Sequence, residues 1–173
     1  IENAAGVKVS TIEHLMAAFA ALGVDNAIVE LDGPEVPIMD GSSIQFVALI
    51  DRVGRKVQEA ARCYIQILEP IEVVDGDKVA RLIPSDQFEL AFEIAFDAVT
   101  IGRQAIDMVM DEATFRKELA NCRTFGFVHE VEALRAMGLA RGGSLENCVV
   151  IDGTRILNPE GLRRPDEFVR HKA

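Results

Sequence analysis

Phe88, Leu90, Phe92, Ile94 and Phe96 recur at every second position, with mostly polar or small residues between them. Successive strand side chains point to opposite faces, so this period describes a strand with one buried face and one wet face. It calls for a one-faced antiparallel sheet with other elements laid on its inner side. Residues 64–68, 71–74 and 79–83 read as further strands, with a turn at Asp75-Gly76, and residues 147–157 read as a hairpin turning at Asp152-Gly153.

Helical spacing lies on either side of this β-rich region. Ser10-Thr11-Ile12-Glu13 has the form of a capping box, and Leu15, Ala18, Phe19 and Leu22 continue a helix that Gly23 ends. Residues 27–31 read as a buried strand and residues 33–41 as a loop with two prolines. Ile44, Phe46, Val47, Ile50 and Val53 form the apolar face of a second helix. Helices are expected at 111–120 and 129–137. Pro165, at a first helical position beside Asp166 and Glu167, opens a final helix carrying Phe168, His171 and Lys172. The class is α+β, with helices laid on sheets.

Composition narrows the function. With 49% hydrophobic residues the chain folds around a core, and 18 Lys+Arg against 28 Asp+Glu give a net charge of -10. That balance excludes a generic polyanion binder, so an anionic ligand needs a local basic site, and basic residues are densest in the last third. Cys63, Cys122 and Cys148 are widely spaced and form no C-x-x-C, which points away from a disulfide framework and toward a reducing, cytoplasmic setting. The longest apolar run, residues 15–24, is about half of the ~20 residues a membrane-spanning helix needs. The chain opens on Ile1 and stops at Ala173 directly after a charged helical segment, so a portion of a longer protein is expected. The polar stretch 55–62 is the best boundary within it.

His14 directly follows Glu13 at a helix start, where both side chains can approach one site. Two readings stand for Glu13: a capping-box partner, or a base beside a metal ligand. Four residues after His14 stands Ala18, so no zinc-protease H-E-x-x-H is present. His129 heads a surface helix. His171 and Lys172 either face a site or occupy a helix C-terminus, where cations are favoured. Asp40-Gly41-Ser42 either turns the chain and caps the next helix or serves a site. Cys122-Arg123-Thr124-Phe125-Gly126-Phe127 and the Arg141-Gly142-Gly143-Ser144 turn are marked by close backbone approach.

Together, Ser10-Thr11-Ile12-Glu13-His14-Leu15, Gly23-Val24-Asp25-Asn26, Pro37-Ile38-Met39-Asp40-Gly41-Ser42, Arg123-Thr124-Phe125-Gly126-Phe127 and Asp166-Glu167-Phe168-Val169-Arg170-His171-Lys172 resemble the zinc-dependent UDP-3-O-acyl-N-acetylglucosamine deacetylases of Gram-negative bacteria, in order and spacing, across nearly the whole chain. The resemblance implies two similar helix-on-sheet domains sandwiching the active site. Residues 1–60 would be the C-terminal portion of the first, and residues 61–173 most of the second. The implied reaction is hydrolysis of the C2 acetamide of UDP-3-O-acyl-N-acetylglucosamine to acetate and a free amine, the committed step of lipid A synthesis.

By the same resemblance His14 and His171 are zinc ligands, and Glu13 is the general base that takes a proton from metal-bound water. Thr124 donates to the developing oxyanion, and Phe125 and Lys172 line the substrate site. Residues 127–150 correspond to an insert forming an apolar tunnel for the acyl chain, lined by Phe127, Val131, Ala140, Gly143, Ser144, Cys148 and Val150. His/Asp sites also accept iron. The family's third ligand, an aspartate four residues after the second histidine, falls past Ala173. The sequence therefore leads to expect an incomplete metal site and weak turnover from residues 1–173 alone. Two other classes stand beside the enzyme: a binding module that keeps the sugar site and tunnel without metal, and a structural interaction domain with incidental histidines.

Overall fold

A computed structural model describes residues 1–138, 140 and 142–173, so Arg141, at the head of the Gly-Gly turn, lies outside the described residues. The protein is α+β. Its elements are α1 (Glu13–Ala21), α2 (Ile44–Val53), β1 (Ile71–Asp75), β2 (Lys78–Leu82), β3 (Glu89–Ala95) and β4 (Arg103–Val109). These are followed by α3 (Glu112–Thr114), a π turn (Phe115–Leu119), β5 (Phe125–Phe127), α4 (Val128–Ala136), β6 (Val149–Asp152), β7 (Arg155–Ile156) and α5 (Glu167–Lys172).

The alternating aromatic segment forms β3, antiparallel to β4 with Phe92 opposite Ile106 and Ile94 opposite Gln104. Leu90, Phe92 and Ile94 turn to the covered face, as the period of two requires. The signal from β4 is weaker because Gln104 takes an inward position, where its Oε1 accepts a hydrogen bond from the Val169 backbone amide of α5 at 3.2 Å. β5 and β6 pair in parallel across α4, a β-α-β crossover, and β7 returns antiparallel to β6 through the expected turn at Asp152-Gly153.

Two apolar clusters hold these elements. One joins Ala18 of α1, its C-cap residue Leu22, Val36, Phe46 and Val47 of α2, Phe115 and Ala120. The other joins Ile94, Ile101 and Ile106 to Val149 and Ile151 of β6 and to Phe168 and Val169 of α5. Leu119 packs against both. α5 therefore lies on the inner face of the β3–β4 hairpin and against β6, with Phe168 fully enclosed.

Several sequence expectations change. Residues 27–31 and 64–68 are not strands, because among the described residues no strand pairs with their backbone groups, and Ile28 and Ile65 are each 93% exposed. The helix expected at 111–120 is one α turn capped by Asp111, whose Oδ1 accepts from the Thr114 amide at 2.7 Å, continued by the π turn. α5 starts two residues beyond Pro165, with Asp166 as its N-cap residue. Val53, placed on the buried face of α2, is exposed. The stretch 55–62 has no regular structure but is tied down: Arg55 pairs with Glu112, and Arg62 pairs with Asp25.

Phe168→Ala removes the largest apolar side chain of the second cluster and is expected to destabilise the fold by about 3–5 kcal/mol in urea titration. The same change at exposed Phe88 should alter stability by less than ~1 kcal/mol.

Candidate metal centre

His14 sits in the first turn of α1, and the way α1 starts decides what Glu13 can do. The Ser10 amide donates to the Pro34 carbonyl at 2.9 Å, and the Val36 amide donates to the Ser10 carbonyl at 3.1 Å. Thr11 then turns the chain with φ 56°, an uncommon conformation for a β-branched residue. The helix begins at Glu13, with Ile12 as N-cap and no side-chain cap. The expected capping box is therefore not formed. Ser10 is committed to pairing with residues 34–36, and Glu13 stands at the first helical position, where it cannot reach back to an N-cap amide. Its carboxylate is exposed.

His171 comes from the last turn of α5, and the two imidazoles meet with ring centroids 5.2 Å apart and planes at 74°. His14 is only 6% exposed, and neither of its ring nitrogens has a partner in hydrogen-bond geometry. His171 Nδ1 lies 3.1 Å from the Cys122 carbonyl. With Nδ1–H donating to that oxygen, Nε2 carries the free lone pair, the arrangement that orients a histidine toward a metal. Burial lowers the pKa of both rings, His171 to about 4, although Glu13 favours the charged form of each. Near neutral pH both rings are uncharged, the form in which an imidazole can ligate a metal. Burial pushes the neighbouring Cys122 thiol up to about 11, so it stays protonated.

Around the pair, Phe125 packs edge-on against Phe168 at 4.9 Å and against His171 at 6.4 Å between ring centroids. The Lys172 ammonium stands 5.4 Å from the Phe125 ring centre. The Thr124 amide donates to the Gly41 carbonyl at 2.7 Å, and the Val149 amide donates to the Thr124 carbonyl at 2.8 Å. Gly41 has φ 83°, and a Cβ there would lie 2.1 Å from the Asn147 carbonyl oxygen and 3.3 Å from Thr124 Cγ2. Asp40 accepts from the Ser42 hydroxyl at 2.9 Å and pairs with Arg163 at 2.9 Å. Burial alone would raise the pKa of its carboxyl, but these two partners outweigh it and hold the group below the ordinary carboxylate range.

The structure thus brings His14, His171, Phe125 and Lys172 together, with Glu13 near enough to act electrostatically on both rings and Thr124 adjacent to Phe125 in the chain. Among the described residues no group of three His, Cys, Asp or Glu side chains forms a metal cluster. Phe127 and Val150 lie on the paired strands β5 and β6. Val131 is on α4, and Ala140, Gly143, Ser144 and Cys148 are on the path from α4 to β6, with Ser144 exposed. Asn158 anchors the end of that path: it accepts from the Val150 amide at 2.8 Å and donates to the Leu145 and Cys148 carbonyls at 2.7 and 2.9 Å. Asn158, Arg163 and the buried Arg123 and Glu167 carry no sequence pattern that announces these roles.

Gly41→Ala is expected to lose about 2 kcal/mol or more of stability in thermal or urea unfolding, while Gly33→Ala, into open space, shifts it by less than ~1 kcal/mol. In metal-free protein, unfolded His171 takes up a proton near pH ~6.5 but the folded ring does so only near pH 4. Stability should therefore fall as pH drops from ~6.5 toward 4 and level off below, and His171→Gln should flatten this slope in pH-dependent urea titrations.

The family profile for UDP-3-O-acyl N-acetylglycosamine deacetylase (LpxC) matches residues 1–173. A UDP-3-O-acyl-N-acetylglucosamine deacetylase of Phenylobacterium zucineum (strain HLK1) is 73% identical over 173 residues, which is 100% of this chain and 59% of that protein. Deacetylases of the same name from Syntrophotalea carbinolica and Myxococcus xanthus are 56% and 54% identical, each over 96% of this chain and 54% and 53% of their own lengths. The chain spans a little over half the length of these curated relatives, and it belongs to the UDP-3-O-acyl N-acetylglycosamine deacetylase family.

Proposed function

We propose that residues 1–173 supply most of the active site of a zinc-dependent deacetylase that hydrolyses the C2 acetamide of UDP-3-O-acyl-N-acetylglucosamine to acetate and a free amine in lipid A biosynthesis. The observation that carries this reading is the pair of uncharged imidazoles 5.2 Å apart, His14 buried with both nitrogens unpartnered and His171 part-buried, delivered by helices distant in sequence. Two neutral imidazoles in ring contact, one with no hydrogen-bond partner, fit a metal better than they fit a packed core, where buried polar atoms are paired. His14 and His171 would hold the ion, with the third donor four residues after His171, outside the chain described. Zinc held there lowers the pKa of water toward ~7 and polarises the amide carbonyl; iron is an alternative occupant of a His/Asp set.

The chain's own residues do the rest. Glu13, exposed at the first turn of α1 and beside both rings, takes a proton from the attacking water. Thr124, fixed through its backbone to Gly41 and Val149, donates its hydroxyl to the oxygen on which negative charge develops. Phe125 and Lys172 border the sugar, the lysine meeting anionic or carbonyl oxygen that the overall acidic surface would repel. The segment from Phe127 to Val150 takes the acyl chain, each buried methylene contributing ~0.8 kcal/mol. No helix among the described residues is long and apolar enough to cross a membrane, and the three cysteines are unpaired, which agrees with a cytoplasmic enzyme.

Metal analysis and acetate release by the full-length protein test this reading. One zinc per chain is expected in both the native protein and Glu13→Ala, with kcat about 10²–10⁴-fold lower in the variant. Native turnover in Glu13→Ala would remove the general-base role. Sugar binding without zinc would identify a binding module instead.

A further inference from the structure

Glu167 is the most enclosed carboxylate of the described chain, with a side chain 0% exposed against Arg123 at 1%. It accepts from the Arg123 backbone amide at 2.9 Å, from Arg123 Nε at 2.9 Å, from Arg123 Nη2 at 3.2 Å and from the Arg163 backbone amide at 2.7 Å. Arg123 also donates to the Gly161 carbonyl at 2.8 Å and pairs with Glu160. Stability alone does not explain such a pair, since a buried ion pair replaced by apolar residues of similar volume usually leaves stability unchanged or higher. Its placement does explain it.

Glu167 lies four residues before His171, on the same face of α5. Arg123 stands between Cys122, whose carbonyl partners His171 Nδ1, and Thr124, whose amide is bonded to Gly41. The other backbone amide that Glu167 holds belongs to Arg163. That residue's guanidinium grips Asp40 and the Asn121 side chain, on the segments that border His14 and lead into Cys122. One carboxylate thereby fixes the surroundings of both histidines from α5.

We infer that Glu167 is a positioning residue for the metal centre, setting the orientation of His171 through the Cys122 carbonyl and the placement of the Asp40 loop beside His14 through Arg163. This rests on the proposed function for its readout in zinc affinity. It acts by geometry, touching neither metal nor substrate. Groups that orient metal-ligating histidines through such contacts change metal affinity 10–100-fold when altered.

The test uses the full-length protein, Glu167→Gln and the double variant Arg123→Met/Glu167→Leu. Zinc affinity is measured by chelator competition, and the His171 Nδ1 proton is followed by NMR in metal-free protein. Glutamine keeps one acceptor oxygen, so about tenfold weaker zinc binding is expected. The apolar pair keeps the volume but holds neither amide, so the loss should approach a hundredfold although the protein remains folded. In both variants kcat falls with KM little changed, and the His171 proton exchanges faster. Native zinc affinity and an unchanged His171 proton in the double variant would overturn the inference. Unfolding of both variants would overturn it too, by placing the whole contribution of the pair in stability. Absence of zinc from the native protein would sink the proposed function, whereas native zinc with no variant effect would sink only the role of Glu167.

Discussion

The ion pair between Arg123 and Glu167 is the constraint on which the rest of the site depends. Removing two charges from water is unfavourable by several kcal/mol per ion unless their hydrogen-bonding capacity is met inside. Here it is met by the Arg163 amide four residues before Glu167 and, across long sequence separations, by the Arg123 amide, the Gly161 carbonyl and the Glu160 carboxylate. An apolar contact at this position would hold α5 against β5 with freedom to slide. The guanidinium and carboxylate permit one register, and that register aligns the final turn of α5 with the Cys122 carbonyl. Local strain around the His14 loop is consistent with a surrounding that is over-determined: Thr11 and Met39 adopt φ of 56° and 57°.

The site lies where the two apolar clusters meet. α1 contributes His14 from the first cluster, and α5 contributes His171 from the second, with Leu119 packed on both. The chain connecting them passes through Gly41, where the absence of a side chain lets the Asn147 carbonyl and Thr124 close in. Packing that joins the two clusters and packing that assembles the site are therefore the same contacts.

Much of this was legible in the sequence, and the failures have physical causes. β3, the β1–β2 hairpin, the Asp152-Gly153 turn and the helical character of α1, α2 and α4 follow from periodicity and turn residues, which act over a few positions. Residues 27–31 and 64–68 have strand composition, but a strand exists only with a partner, and pairing is not a local property. The capping motif at Ser10 failed for the same reason, since its backbone is claimed by Pro34 and Val36, residues whose proximity no local pattern encodes. His14 and His171 were given roles from motif resemblance, whereas Glu167, though inside the same motif, and Asn158 were given none. Both are polar residues whose significance lies in burial, and burial of one side chain depends on the whole fold.

The unpartnered nitrogens of His14 connect stability to chemistry. A neutral imidazole has one donor and one acceptor, and each buried group left unpaired is unfavourable by about 1–3 kcal/mol. Protonation is disfavoured because burial lowers the pKa of the ring, against the pull of Glu13, Asp40 and the Ile38 backbone toward the charged form. Rotation of the ring toward a partner is resisted by its neighbours, with the ring 6% exposed and His171 against it. The metal proposed for this site would accept lone-pair density from both rings at once. Any such ligand binds the folded chain and not the unfolded one, so it stabilises the fold by RT ln(1 + [L]/Kd), about 2.7 kcal/mol at a hundredfold excess over Kd. Under the proposed function, a metal that takes the lone pair of His14 would satisfy the acceptor nitrogen of that ring, and the affinity of the site and the stability of the fold would rise together.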